Sequence, residues 1–325
     1  MRTAASRLHK GFSFERRLAV CESAFEQQGA AWAGSWRFWT PTTGAAATCA
    51  EGAAGGEALV DGGAAADGEA LAGDATAERL ALDSALTRRD VPFKRVVLDL
   101  GCGKGEYTVA CAKRTPDTLF VGIDVDPICV LRSAEEAVRE NVGNAAFIHD
   151  SDPDLARYFA PGELSAILVN FPTPFPKKKK APLRLTYVDR LVGYRALLAP
   201  GAPLRLRTDS QPFRDFSLTQ LELAGYEMAW STDRVREMFP DEPESGYERK
   251  LVAKGAPVLG FAAVPGPAPE RIEQTAPLSL ASYLPDDLES MTYIPHGMQG
   301  TVENMRARNA NRRAKGLNPC ERLHV

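Results

Sequence analysis

At 325 residues the chain has room for two ordinary domains or for one with long extensions. Its 39 Lys and Arg against 42 Asp and Glu leave a net charge of -3, too small to point to a charged partner by itself. Six cysteines without a Cys-x-x-Cys pair or a histidine at ligand spacing argue against a disulfide framework and a metal site, and no apolar run approaches the ~18 residues of a membrane span. The expectation is a cytoplasmic chain in a reducing compartment, with neither metal nor membrane as a partner.

Residues 1–40 are read as a partly helical N-terminal segment. Its first residues carry Arg2, Arg7, His9 and Lys10, no acid and no apolar core of a secretory signal; an organelle transit peptide is the alternative reading. Phe14, Leu18, Cys21 and Phe25 recur at helical spacing, which predicts a short amphipathic helix docked on the main domain. Trp32, Trp36 and Phe38 form an aromatic cluster behind it. Residues 41–79 are mostly Ala and Gly with scattered acids. They hold too little large apolar surface to offset chain entropy, so a disordered insert is expected. Between Phe38 and Glu78 there are seven acids and no Lys or Arg, so the rest of the chain carries a net +4. A mildly basic body is compatible with a nucleic-acid partner.

Residues 80–265 alternate between strand and helix patterns, the signature of a parallel α/β sheet. After a helix ending near Arg89, the reading gives strand Arg95–Leu100, helix Lys104–Arg114, strand Thr118–Ile123 and helix Pro127–Asn141. Strand Ala145–His149, short helix Pro153–Phe159, strand Ser165–Val169, helix Thr186–Ala199 and strand Pro203–Arg207 follow. Helix Gln211–Leu223, strand Tyr226–Ser231 and a last strand, Pro257–Val264, complete the domain. Residues 266–325 form a C-terminal extension, Pro-rich and then irregular to about Gln299. It ends in a basic helical pattern from Val302 to Lys315 with Arg306, Arg308, Arg312 and Arg313. That helix is read as a solvated surface, with phosphate contact as the alternative.

The chemistry gathers at strand ends. The first strand runs through Asp99 into Gly101-Cys102-Gly103-Lys104-Gly105, and a helix follows at once. Alternating glycines let the backbone approach a ligand, and the helix points unpaired N–H groups at the same place. The spacing Gly-x-Gly-x-Gly fits neither the dinucleotide fingerprint nor a phosphate loop. Asp99 suits a cationic ligand, and Asp124, closing the next strand, stands where a carboxylate meets ribose hydroxyls. Together these motifs resemble the S-adenosylmethionine site of class I methyltransferases.

The second informative stretch is Asn170-Phe171-Pro172-Thr173-Pro174-Phe175-Pro176 followed by Lys177 to Lys180. It stands at the carboxyl end of the fourth strand, beside the ligand crevice. The four lysines, with Arg184 and Arg190 behind them, are read as a phosphate-binding patch. Arg184-Leu185-Thr186-Tyr187, Arg207-Thr208-Asp209 and Ser245-Gly246-Tyr247-Glu248-Arg249-Lys250 complete a series in the order seen in bacterial tRNA (guanine-N7)-methyltransferases. The chain resembles that family from about Lys94 to Val264.

The resemblance implies a Rossmann-like fold with a seven-stranded, mostly parallel sheet whose final pair is antiparallel. It implies S-adenosylmethionine held by Asp99, Gly101, Gly103, Asp124, Asp150 and Asn170. It further implies a variable-loop guanosine of tRNA held by Lys177, Asp209, Ser245, Gly246, Tyr247 and Glu248. The family usually has Asp-Pro-Trp where this chain has Thr173-Pro174-Phe175, and that Asp is its catalytic residue. Thr173 can hydrogen-bond but offers no charge. Guanine N7 needs no deprotonation to attack a sulfonium methyl, so the loss is expected to slow the reaction and need not abolish it. A silent tRNA-binding relative and a small-molecule methyltransferase are the competing readings.

Overall fold

A computed structural model of the protein describes residues 13–41, 89–150, 154–316 and 318. The Ala/Gly insert and the helix expected before Arg89 fall on residues 42–88, outside the described residues. The central strand β1 (Arg95–Leu100) buries every residue but its first, which its run of Val96, Val97, Leu98 and Leu100 dictates. It pairs in parallel with β2 (Thr118–Asp124) on one side and β4 (Ala166–Asn170) on the other, so that Leu98 lies opposite both Val121 and Ile167. With β3 (Ala145–His149), β5 (Leu204–Thr208), β6 (Tyr226–Thr232) and β7 (Leu259–Pro265) the sheet has seven strands, ordered β3-β2-β1-β4-β5-β7-β6. β7 inserts antiparallel between β5 and β6. The order reverses between β1 and β4, and at such a switch point the strand ends part to leave a crevice. This is the expected doubly wound, mostly parallel sheet.

Local chemistry sets the helix limits. α1 (Phe14–Cys21) is capped by the Ser13 side chain, which accepts from the Arg16 amide. α2 (Glu106–Arg114) starts two residues later than its sequence pattern suggests. Gly105, at φ 72°, is its left-handed cap and keeps Lys104 in the turn. α3 (Pro127–Arg139) opens with Pro127 in the first turn and Asp126 as cap, and Asn141 at φ 53° turns the chain away after its end. α4 (Val188–Leu197) is shorter at both ends than expected, and α5 (Gln211–Leu223) matches its expected span. α6 (Val235–Met238) and α7 (Gly246–Val252) lie between β6 and β7. The expected helix from Pro153 to Phe159 is a single 3-10 turn, Leu155–Arg157.

Both extensions are part of the domain. Phe25 forms a parallel bridge to Phe147 on the outer side of β3, with Glu26 N donating to Phe147 O at 2.7 Å and Phe147 N to Ala24 O at 2.8 Å. Trp32 and Trp36 are buried as the cluster reading implies. Phe38 is exposed, and Trp39 takes the inner position with its indole N–H on Glu26 at 2.9 Å. On the other side, Leu280, Leu284, Leu288, Met298 and Val302 join the same apolar cluster as β1, β4 and β5. The irregular stretch before Gln299 is therefore core-packed. α8 (Gln299–Ala314) starts three residues before the expected helix. One of its basic residues, Arg306, turns inward to hydrogen-bond the Leu288 carbonyl, at 3.0 Å from Nε and 2.6 Å from an Nη.

Candidate active site

The glycine turn after β1 gives the crevice its floor. Gly101, Gly103 and Gly105 all have positive φ, at 82°, 60° and 72°. Two of the three are needed for opposite reasons. A Cβ on Gly105 would come within 2.8 Å of the Ser133 Cα, so glycine is required for close packing of the turn on α3. A Cβ on Gly103 would meet no protein atom within 4 Å, so open space lies over its backbone. The Gly103 amide donates to Asp124 Oδ2 at 2.9 Å, and the Asp126 amide donates to the other Asp124 oxygen at 2.9 Å. Burial raises the Asp124 carboxyl above its ordinary range, and these two amides work against that rise. A glycine cradle beside a fixed carboxylate fits a nucleoside with free ribose hydroxyls.

Four of the expected donor residues stand at the carboxyl ends of neighbouring strands: Asp99 near the end of β1, Asp124 on β2, Asp150 after β3 and Asn170 on β4. Asp150 is tied back to the wall, its carboxylate accepting from the Tyr158 hydroxyl at 2.6 Å and its amide donating to the Asp124 carbonyl at 3.2 Å. Asp99 departs from its expected place. It is 1% exposed, and its oxygens accept from the Thr108 hydroxyl at 2.5 Å and the Asn170 amide at 3.2 Å. Burial pushes its carboxyl up to about 6, against the pull of those two hydrogen bonds. Asp99 thus joins β1, α2 and β4 from beneath the cradle rather than facing a ligand with a free oxygen. Thr108 was missed by the sequence reading; it is on the first turns of α2, facing the strand that precedes them.

The loop expected to face the acceptor runs from Phe171 to Pro176. Phe171 and Phe175 hold φ of 47° and 45°, a left-handed backbone that aromatic residues rarely adopt and that costs of order 1–3 kcal/mol each. Arg184 sustains that shape. Its guanidinium donates to the carbonyls of Pro174 at 3.0 Å, Phe175 at 2.7 Å and Leu278 at 2.8 Å, and it lies 4.2 Å from the Phe216 ring centre. At 0% exposure Arg184 belongs to the interior, which corrects the expectation that it backs a surface patch. Thr173 is exposed at the tip, and Lys177 to Lys180 are exposed on the turn beside it.

The other residues expected on the acceptor side divide. The Gly246 amide donates to the Glu106 carboxylate, which draws Ser245–Tyr247 against the start of α2 and so beside the cradle. Ser245 caps α7, its hydroxyl accepting from the Glu248 amide at 3.1 Å. Tyr247 is 43% exposed and meets Phe171 edge-on, with ring centres 5.9 Å apart. Asp209, after β5, is 6% exposed and accepts from the Tyr293 hydroxyl at 2.7 Å and the His296 amide at 2.9 Å. Glu248 is not brought to the crevice. It is 1% exposed, with both oxygens 2.6 Å from Arg207 and one 2.5 Å from Arg236 Nε, an internal ion cluster that ties α7 to β5 and α6. Its expected guanine contact is corrected accordingly, because both oxygens are already committed. Tyr293 and His296, outside every motif, were missed altogether.

The family model described as "Putative methyltransferase" matches residues 94–260, the span from β1 into β7. The tRNA (guanine-N(7)-)-methyltransferase of Geobacillus kaustophilus is 33% identical over 171 residues, 52% of this chain and 79% of that protein. That of Christiangramia forsetii is 35% identical over 168 residues, 50% of this chain and 75% of that protein. A seven-stranded sheet of this order, a glycine cradle at its switch point and these identities agree: the chain belongs to the tRNA (guanine-N7-)-methyltransferase family, class I enzymes that use S-adenosylmethionine.

Proposed function

We propose that the protein methylates N7 of a guanine in tRNA, at the variable-loop guanosine. The observation that carries this reading is that Tyr247, held next to the start of α2 by the Gly246–Glu106 contact, packs its ring against Phe171 at the head of the loop that carries Thr173 and leads into the four exposed lysines. The names of the relatives support guanine in tRNA as the acceptor.

S-adenosylmethionine, when bound, supplies a sulfonium methyl group as the electrophile. Gly101 and Gly103 would admit it, Asp124 would hold its ribose hydroxyls and Asp150 would stand toward its base. The N7 lone pair forms the N–C bond as the S–C bond breaks, and that bond's electrons stay on sulfur. No proton has to leave, so the residues act chiefly by alignment and exclusion of water. The exposed face of Tyr247 offers a stacking surface for the purine. Lys177 to Lys180 provide charge for backbone phosphates, and Ser245–Gly246 keeps Tyr247 beside the cradle.

Thr173 favours one second reading, a weakened or silent tRNA-binding relative. Transfer of labelled methyl to unmodified tRNA, followed by digestion, separates the two when wild type and Thr173→Asp are run together. N7-methylguanosine from wild type supports the enzyme. Product from Thr173→Asp alone supports the binder, and methyl found on an adenine amino group overturns both.

A further inference from the structure

The chain beyond residue 260 lies outside the family match, yet it enters the acceptor side. Leu280 N donates to the Pro176 carbonyl at 3.0 Å, and Leu280, Leu284, Leu288 and Met298 are all buried in the core. Gly297 stands against the acceptor loop: a Cβ there would lie 3.3 Å from Pro174 Cγ. Between these anchors, Tyr293 and His296 reach Asp209 as described. The His296 Nδ1 is 3.1 Å from the Tyr247 hydroxyl, and the two rings are nearly perpendicular with centres 6.0 Å apart. Phe171, Tyr247 and His296 thus form a row of three rings along one wall. The His296 side chain is exposed, and its Nε2 has no hydrogen-bond partner among the described residues.

We propose that His296 is an acceptor-site residue: its imidazole contacts the guanine base that stacks on Tyr247, adding a polar contact to the base from outside the loop that carries Thr173. The proposal rests on the guanine reading above and adds a residue that the family match does not contain. A neutral imidazole has one donor and one acceptor nitrogen. With Nδ1 committed to Tyr247, Nε2 is left for the edge of the base. The charged and titratable groups around the ring are Asp209, Tyr247 and Tyr293. The buried leucines and the Asp209 contacts fix the backbone that carries His296, so the ring is set in place before substrate arrives.

Two measurements test this. The first is steady-state methyl transfer to unmodified tRNA by wild type, His296→Ala and His296→Gln, with melting temperature and S-adenosylhomocysteine affinity recorded for each. The expected result is a fall in kcat of roughly 10- to 100-fold for His296→Ala. Melting temperature and S-adenosylhomocysteine affinity stay unchanged, and His296→Gln recovers most of the rate. The second is the imidazole C–H resonance of His296, assigned among the four histidines by its loss in His296→Gln. In the presence of S-adenosylhomocysteine it is expected to shift on titration with guanosine monophosphate and not with adenosine monophosphate. Wild-type kcat in His296→Ala, or an unmoved resonance, overturns the proposal. A guanosine-dependent shift in a protein that makes no N7-methylguanosine overturns the proposed activity and leaves His296 in the site.

Discussion

Arg184 grips Phe175: two of its guanidinium nitrogens donate to the one carbonyl, at 2.7 and 3.2 Å, while Phe175 itself stands at φ 45°. The interior of the domain thus holds the acceptor loop in a backbone shape that the loop's own residues disfavour. Arg184→Leu is expected to cost about 2–4 kcal/mol of stability and to lower methyl transfer by more than the loss of folded protein explains. Arg184→Lys should rescue little, since an ammonium cannot span three carbonyls. Urea unfolding and kcat/KM on the same preparations check this; a stable, fully active Arg184→Lys would contradict it.

Gly103 and Gly105 separate binding from folding. Gly103→Ala places its methyl in open space, so stability should fall by only about 1–2 kcal/mol for the left-handed backbone, while S-adenosylhomocysteine affinity falls sharply. Gly105→Ala drives a methyl into the Ser133 backbone and should unfold the turn along with α3. Calorimetry for affinity and thermal melts for stability distinguish the two variants.

Burial makes Asp99 a source of pH dependence. Its carboxyl titrates at about 6 in the folded chain against an ordinary 3.8, so between those values the folded state binds the more protons. Stability from this group is therefore greatest in acid and falls as pH rises from about 4 to 6, by about 3 kcal/mol in all. Asp99→Asn removes the titrating group and should flatten that part of the curve. Urea unfolding of both proteins at closely spaced pH values shows whether the difference between them follows this slope.

Glu248→Gln distinguishes an internal ion cluster from a substrate contact. Arg207 and Arg236 would lose their shared buried carboxylate and keep only Glu242 and Glu244 nearby, at a cost of about 1–3 kcal/mol. A guanine contact would instead spare stability and raise KM for tRNA. Equilibrium unfolding of the variant decides it.

Replacing Lys177 to Lys180 by glutamine should weaken tRNA binding and make it less sensitive to salt. The slope of log affinity against log salt would flatten by up to about 3 if all four side chains meet phosphate. S-adenosylhomocysteine affinity should not move. Filter binding across a salt series is the measurement, and an unchanged slope would place the tRNA elsewhere.

The sequence specified the sheet closely because its signals were local. β1, β3 and α5 match their expected spans residue for residue, each an apolar pattern set off by neighbouring glycines, prolines or a capping serine. The glycine turn and the acid that ends β2 were legible for the same reason, since glycine spacing and a strand-ending acid are read without knowing the rest of the fold. What escaped was non-local. Arg184 read as part of a surface patch because charges are usually exposed, and Glu248 as a substrate contact because its motif resembles the family's. They are buried because distant carbonyls and arginines receive them. Leu280, Leu284 and Leu288 recur every four residues, but Pro285 breaks the stretch into a 3-10 turn, Leu280–Tyr283, and a run of bends, so neither helix nor core was apparent. Tyr293 and His296 meet Asp209 only because that stretch folds back over it.

The bridge between Phe25 and Phe147 bears on how the protein behaves in company. A parallel sheet ends on each side in a row of unpaired amides and carbonyls, a template on which another chain can add a strand. At Phe147 both backbone groups on the outward side are already taken, by Ala24 and Glu26 of the same chain. The N-terminal segment therefore occupies the middle of the β3 edge and obstructs strand addition there by a neighbouring molecule. A version cut back to the family core would present that edge bare and should self-associate as its concentration rises.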